Sequence, residues 1–162
     1  MTSFILAVPS EKDLRYVAEN MRDRDVAEFM AVSHAETRAG LVDDLVARYA
    51  QHPGLICGFA DNEPTAIGAM VAARPNVITL MFFATEKFSK IAIPLTRFIR
   101  QRLFPRYIND GVHRIECVSI DGYEETHRWI EALGLQHEAR HEGYGRNGET
   151  FHTFAKVFPD AR

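Results

Sequence analysis

The residues best suited to chemistry follow a buried apolar run, VITLMFFA at 77 to 84, in the segment EKFSKIAIP at 86 to 94. Lys87 and Lys90 can pair with phosphates through their ammonium groups, because a helix start already favours anions. Glu86 can act as a base, directly or through a water, and Tyr123 has a hydroxyl that can donate a proton. Each also has a plainer interpretation. The lysines and Glu86 can be solvated loop residues, and Tyr123 a packing or capping residue.

The histidines and cysteines do not form a recognisable metal motif. His137 and His141 have x₃ spacing, but on a strand this leaves them about 13 Å apart on one face, too far to share a metal. Cys57 and Cys117 lie inside apolar runs, where a free thiol packs as a small hydrophobic residue. We therefore predict no metal site and no disulfide, which fits a reducing cytoplasm.

Length and charge limit the function classes. The 162 residues, 46% of them apolar, are typical of one domain spanning 1–162. The formal net charge of −3 argues against nucleic acid and anionic membranes as partners and favours small molecules or proteins. The start lacks the basic region of a signal peptide, and no apolar run reaches membrane-spanning length, so a cytoplasmic protein is expected. One local basic run is interpreted as a solvated helix face: Arg97, Arg100, Arg102 and Arg106.

Hydrophobic periodicity predicts an α/β domain with the element order β α α β β β α β α β β. A helix between the strands at 77–84 and 114–120 indicates a crossover, so these two strands should run parallel and splay apart at the end of the first. The other strands are expected at 3–8, 55–60, 65–73, 136–144 and 150–158, and the helices near 10–21, 33–49, 91–103 and 121–133. Three pairs of residues match helix-capping patterns: Ser10 with Asp13, Ser33 with Glu36, and Asp121 with Glu124.

The segment RWIEALGL at 128 to 135 is similar to the closing helix and Leu-Gly-Phe of the GCN5-related N-acetyltransferase (GNAT) superfamily. Together with the element order, this resemblance covers nearly the whole chain. It implies a GNAT-like mixed, mostly antiparallel sheet of about six to seven strands with a central parallel pair and about four helices. It also implies acetyl-CoA or CoA as the cofactor, and direct transfer of an acyl group to an amine in a groove between strands four and five.

A narrower resemblance runs through FFATEKF at 82 to 88, RFIRQRLFPRY at 97 to 107, RWIEALG at 128 to 134 and GYGRNGETFHTFAKV at 143 to 157. These segments are similar to the GNAT-like family of tailed phages that includes internal virion protein A. The resemblance implies a phage-encoded protein, located in the host cytoplasm or in the virion. Its partners would be a CoA-type small molecule, virion proteins or a second copy of the chain.

In GNAT enzymes the loop after the fourth strand carries Q/R-x-x-G-x-G/A, in which backbone amides approach the CoA pyrophosphate. The alignment places Lys87 first, Lys90 at the central glycine and Ala92 last. Lys90 departs from the motif, and Pro94 removes an amide from the same helix start. The phosphate site is therefore expected to be altered and weaker. The resemblance also places the end of the strand beside the cofactor, at Phe82, Phe83 and Ala84.

The family's general acid is a tyrosine four residues before the glycine of the closing helix, and Ile130 holds that place. An isoleucine cannot transfer a proton, which leaves Tyr123 as the nearest substitute acid and Glu86 as a candidate base. Two function hypotheses stay open. The first is a divergent N-acyltransferase with a degenerate cofactor loop, and the second is a non-catalytic virion or host-takeover protein that acts through protein contacts.

Overall fold

The computed structural model describes residues 1–159 of the chain, and within them the strands form one seven-stranded sheet with the order β1-β2-β3-β4-β5-β7-β6. The strands are β1 (Phe4–Ala7), β2 (Leu55–Ala60), β3 (Glu63–Arg74), β4 (Val77–Ala84), β5 (Arg114–Ile120), β6 (Gln136–His141) and β7 (Phe151–Val157). The helices are α1 (Glu11–Glu19), α2 (Asp23–Ala31), α3 (Arg38–Tyr49), α4 (Ala92–Phe98), α5 (Phe104–Asn109) and α6 (Glu124–Ala132). A π-helical turn, Ile99–Leu103, joins α4 to α5. The chain forms two compact units, residues 1–70 with 81–95, and residues 71–80 with the chain from 96 onward.

The first unit contains the antiparallel meander of β1, β2 and β3. Its β2–β3 turn consists of Asp61 and Asn62, whose φ values of 49° and 66° are those of a tight hairpin. Helix α1 begins with the predicted capping box, in which Ser10 and Asp13 bond each other's backbone amides. Helices α1 and α3 bury the apolar side chains that their helical spacing predicts, namely Leu14, Val17, Leu41 and Leu45.

Helix α2 was not expected from the sequence, and its N-cap residue, Arg22, makes no side-chain capping bond. The next helix, α3, starts later than predicted. The hydroxyl of Thr37 caps it by accepting from the amide of Gly40 at 3.0 Å. The predicted cap at Ser33 with Glu36 is therefore wrong. Ser33 instead accepts from the amide of Ala35 at 2.9 Å, in the bend before α3.

The second unit is organised around β5. One edge of β5 pairs in parallel with β4, where Val77–Thr79 face Arg114–Glu116, which confirms the predicted crossover. The other edge pairs antiparallel with β7, and β7 pairs antiparallel with β6. This arrangement is the mixed, mostly antiparallel sheet with a parallel pair that the sequence predicts.

Helix α6 closes the second unit, and it ends as predicted at Gly134, whose φ of 101° suits a glycine. The predicted cap by Asp121 is wrong, because the N-cap residue is Tyr123, whose side chain makes no capping bond, and the Asp121 carboxylate bonds His152 instead. Ile130 is buried, whereas Trp129 is half-buried and donates its indole N–H to Thr96 at 2.8 Å. None of the helices within residues 1–159 is both long enough and apolar enough to cross a membrane.

Candidate functional site

The loop that follows β4 is a short 3₁₀ helix, Glu86–Lys90, capped by Thr85. The hydroxyl of Thr85 accepts from the amide of Lys87 at 3.3 Å, and its carbonyl accepts from Phe88 at 3.1 Å. The amide of Ile91 in turn donates to the carbonyl of Phe88 at 3.0 Å. Three amides of the loop are thus engaged within the chain. An anion bound at this loop would therefore rely mainly on side-chain contacts, whereas a glycine-rich loop binds an anion with free backbone amides.

A glycine in β2 helps to position this loop. A methyl group at Gly58 would lie 2.9 Å from Cδ1 of Ile91, closer than carbon atoms approach in folded proteins. Because glycine has no side chain, the Ile91 side chain can pack in this space, where it is fully buried. The adjoining residue Cys57 is also buried, and burial raises the pKa of its thiol to about 12, so it is not a nucleophile at neutral pH.

Lys87 is held by an ion pair that the sequence did not reveal. Its ammonium group donates to one carboxylate oxygen of Glu63, and the hydroxyl of Tyr16 donates to the other. The hydrogen bond with Glu63 raises the pKa of Lys87, and the bond from Lys87 is the largest cause of the lowered pKa of Glu63. Lys90 is exposed at the other end of the 3₁₀ helix. The two lysines thus differ, since only Lys87 has to leave a carboxylate in order to bind a phosphate.

The end of β4 is bonded by Arg22, the residue before α2, and by Asp25 in the first turn of α2. The carboxylate of Asp25 accepts from the backbone amide of Ala84 at 3.0 Å, and the carbonyl of Ala84 accepts from the amide of Arg22 at 2.9 Å. Arg22 and Asp25 also form a two-pronged ion pair at 3.0 and 3.1 Å. The guanidinium of Arg22 lies 5.2 Å from the ring centre of Phe88. Both backbone hydrogen-bonding groups of Ala84 are therefore engaged within the chain.

The remaining residues predicted from the sequence around this loop differ in exposure. Glu86 is exposed and Ala92, the first residue of α4, is half-buried. Phe83 is fully buried against Phe29, with ring centres 5.6 Å apart, and Phe82 packs edge-on against Phe88 at 5.1 Å. Only the backbone of β4 is thus suited to contact a cofactor at Phe83. The first unit gathers every predicted site residue except Tyr123.

In the second unit, Tyr123 lies in the turn that leads from β5 into α6. Its side chain is buried, its amide donates to the carbonyl of Ile120 at 3.4 Å, and its carbonyl accepts from the amide of His127 at 3.0 Å. These two backbone bonds hold the residue in place. Tyr123 is therefore placed at the carboxyl end of a central strand, where side chains of α/β proteins commonly meet their ligands.

Three polar side chains form a hydrogen-bonded row across neighbouring strands: Asp121 directly after β5, His152 on β7 and His137 on β6. Nε2 of His152 lies 2.7 Å from a carboxylate oxygen of Asp121, and Nδ1 of His152 lies 2.8 Å from Nε2 of His137. The hydrogen bond from His152 is the largest cause of the lowered pKa of Asp121. An ionised Asp121 makes Nε2 of His152 the donor, so Nδ1 accepts from His137.

This row of side chains was not predicted from the sequence, because the spacing of His137 suggested only His141 as its partner. A bulge between His137 and Ala139 interrupts the register of β6, and His141 bonds the hydroxyl of Thr153 at 2.7 Å instead. Within residues 1–159, no three histidine, cysteine, aspartate or glutamate side chains are grouped so that they could hold a metal ion. One sequence feature could have predicted this row: His152 lies at the start of β7 and Asp121 at the end of β5, and these two strands are neighbours.

No protein-family model matches the sequence, and no curated protein matches it. Solved structures are nevertheless similar over nearly the whole chain. The ribosomal-protein-S5-alanine acetyltransferase from Vibrio fischeri is 15% identical, with a TM-score of 0.67 over 98% of this chain and 95% of that one. The structure of yncA from Salmonella typhimurium with its cofactor acetyl-CoA is 12% identical, with a TM-score of 0.69 over 95% and 93%. RimL, the ribosomal L7/L12 alpha-N-protein acetyltransferase in complex with coenzyme A, is 14% identical, with a TM-score of 0.63 over 99% and 96%. Because similarity at these identities establishes the fold alone, the conclusion is that this chain has the GNAT fold.

Proposed function

We propose that the protein is an acetyl-CoA-dependent N-acyltransferase with an altered cofactor loop. The observation that carries this proposal is the similarity of the fold to acetyltransferases over at least 95% of the chain. Two of these acetyltransferases are described by the protein amines they modify, an alanine of one ribosomal protein and an alpha-amino group of another. We therefore infer that the acceptor is an amine, with the amino terminus of a protein as the first class to test.

The loop after β4 fits the phosphates of CoA by charge rather than by backbone amides. The amides of Lys87, Phe88 and Ile91 already bond within the chain, which removes much of the cradle that glycine-rich loops provide. Lys87 and Lys90 carry two ammonium groups on the same 3₁₀ helix, and ammonium groups bind phosphate strongly. Lys90 is exposed, whereas Lys87 must exchange Glu63 for the phosphate. The backbone of Phe82 and Phe83 and the start of α4 at Ala92 complete the proposed cofactor contacts.

The thioester of acetyl-CoA supplies an activated acyl group when it is bound. Glu86 accepts a proton from the amine, directly or through a water, and so leaves the nitrogen with a free electron pair. Tyr123 would donate a proton to the sulfur as the amine nitrogen bonds the acyl carbon and the bond from that carbon to sulfur breaks, a role that Ile130 cannot fill. Tyr123 suits the second role because the residue is buried and its backbone is held by hydrogen bonds with Ile120 and His127 at the end of β5. Glu86 suits the first because its carboxylate is exposed.

Calorimetric titration with CoA and with acetyl-CoA tests the proposal, combined with the substitution Lys90→Gly. We expect micromolar binding to the natural sequence and an affinity about fivefold lower for Lys90→Gly, because an ammonium contact is lost and the nearby amides are engaged. The remaining binding should weaken with added salt, since exposed charges are screened over about 8 to 10 Å. A higher affinity for the glycine variant would show that amides hold the phosphate. If neither protein releases heat with either ligand, the transferase proposal is wrong.

Glu63→Gln is expected to raise the affinity for CoA by about threefold, because exposed ion pairs of this kind are worth up to about 1 kcal/mol and their loss frees Lys87. Glutamine keeps an oxygen that can accept from Tyr16, so the local packing is retained. Glu36→Gln is the matched control, since it makes the same charge change at an exposed position before α3. Equal affinities for all three proteins would show that Lys87 does not contact the phosphates.

A second candidate function is supported by the closed end of β4. Asp25 and Arg22 already satisfy the backbone of Ala84, Lys90 replaces a glycine, and Ile130 replaces the acid, as expected where a fold has kept its shape and lost its site. In this alternative the protein is a non-catalytic virion or host-takeover component of a phage that acts through protein contacts. Absence of CoA binding in the titration above, with a folded protein, is the result that favours it.

A further inference from the structure

Four exposed arginines lie close together on one helical segment. Residues 96–109 contain four arginines and no lysine, aspartate or glutamate. All four are exposed, and within residues 1–159 none of them forms an ion pair. Several arginines elsewhere are paired with carboxylates, as in Arg15 with Asp43 and Arg114 with Glu138. We call the four the arginine face: Arg97, Arg100, Arg102 and Arg106.

The arginine face is unfavourable for the isolated helix. Arg97 and Arg100 are three residues apart and Arg102 and Arg106 four apart, so each pair places two like charges side by side on the helix, which is unfavourable. The π-helical turn Ile99–Leu103 lies between the two pairs and contains Arg100 and Arg102. Such turns are rare and occur frequently at functional sites. Its apolar ends, Ile99 and Leu103, are buried, so the turn fixes which side chains face outward.

The charge distribution of the whole sequence points in the same direction. The chain has 19 basic and 22 acidic residues, so without the four arginines the remainder has 15 against 22, a net charge of −7. A segment whose four arginines form no ion pair within residues 1–159 therefore lies in an otherwise acidic protein. Neutralising it by contact with an external anion removes the repulsion within the face and requires no ion pair inside the chain to break.

We propose that the arginine face docks an acidic segment of a protein partner. Guanidinium groups form two-pronged hydrogen bonds with carboxylates, and the ten residues from Arg97 to Arg106 span about 13 Å of helix, a length that a short acidic peptide covers. A nucleic acid fits less well for two reasons. The overall charge of −3 repels a long polyanion. The aromatic residues of the segment, Phe98, Phe104 and Tyr107, are buried or half-buried, so bases find no exposed ring on which to stack.

The test uses a labelled 14-residue peptide with glutamate at every third or fourth position, and a single-stranded oligonucleotide of the same charge, both measured by fluorescence anisotropy at matched salt. We expect the peptide to bind and Arg97→Glu with Arg102→Glu to weaken it at least about tenfold, because two attractions become repulsions. The control variant is Arg48→Glu with Arg128→Glu, which makes the same charge change at exposed positions on other helices. It should change the affinity by less than about threefold.

Three results would overturn the proposal: no binding of the peptide, tighter binding of the oligonucleotide than of the peptide, or equal weakening in the control variant. The milder pair Arg97→Gln with Arg102→Gln covers the case in which charge reversal disturbs the helix. It removes the guanidinium groups while glutamine keeps a high helix propensity. Far-ultraviolet circular dichroism of every variant verifies that the helical content is unchanged. The peptide assay is independent of CoA, so its outcome does not depend on whether the protein is a transferase.

Discussion

Asp25→Ala is expected to lower the free energy of unfolding by about 3 to 5 kcal/mol. The carboxylate is 4% exposed and holds two groups at once, the guanidinium of Arg22 and the amide of Ala84. Removal of the carboxylate leaves a guanidinium that is only 14% exposed without this partner, and it leaves a buried amide without its acceptor. Urea denaturation of the variant and the natural sequence, followed by circular dichroism, measures the difference.

Asp43→Ala provides the matched control, because it breaks an aspartate–arginine pair whose two side chains are 69% and 39% exposed. Exposed pairs are worth about 0 to 1 kcal/mol, so this variant should unfold close to the natural protein. The double variant Arg22→Met with Asp25→Leu should recover part of the loss, since no charge is left buried. A cost for Asp25→Ala no larger than that for Asp43→Ala would contradict the role assigned to Asp25.

The strands and the order of the elements could be predicted because their information is local. The runs VITLMFFA and RIECVSI coincide with β4 and β5 to the residue, since a buried strand requires apolar residues over a short, bounded stretch. The Ser10 capping box is equally local, because its two partners are three residues apart. The parallel pairing of β4 and β5 followed from the crossover helix between them.

Helix α2 could not be predicted for a physical reason. Its sequence, DRDVAEFMA, lacks the serine or threonine cap that marks a start, and its anchor is Asp25, which bonds the amide of Ala84. The two residues are 59 positions apart in the sequence. The start of α3 was misplaced by a competition between two hydroxyls, since Ser33 bonds a bend and Thr37 caps the helix. Local patterns do not decide which of two capping residues the tertiary structure uses.

The candidate site could be predicted only in its residue types. Lys87 and Lys90 were identified from the loop that follows β4, but the partner of Lys87 is Glu63, 24 residues earlier on β3. Similarly, His152 meets Asp121 only because β7 pairs with β5 in one register. Such contacts are set by strand pairing over long sequence separations. The sequence therefore predicted that Lys87 and Lys90 can bind a phosphate, but it did not predict that the carboxylate of Glu63 competes for Lys87.

Tyr123→Phe is expected to lower kcat for acyl transfer by about 100-fold, with little change in the KM for acetyl-CoA. The substitution removes one hydroxyl and keeps the ring, which is buried at the start of α6. Backbone bonds to Ile120 and His127 position the residue in both proteins. A fall in kcat at constant KM would therefore indicate that a proton donor acting in the transition state has been lost, and not a contact to the cofactor.

Tyr107→Phe is the control for this prediction, since it removes a hydroxyl from a half-buried ring on α5 and should leave kcat unchanged. Steady-state rates at saturating amine and acetyl-CoA, measured through the thiol released, give kcat for both variants. Urea denaturation verifies that each variant retains its stability to within about 1 kcal/mol, the usual worth of one hydrogen bond. If Tyr123→Phe keeps the full kcat, the proton reaches the sulfur from water, and Tyr123 is a packing residue of α6. If both variants lose activity equally, the loss comes from general weakening of the second unit, and the role of acid must be withdrawn from Tyr123.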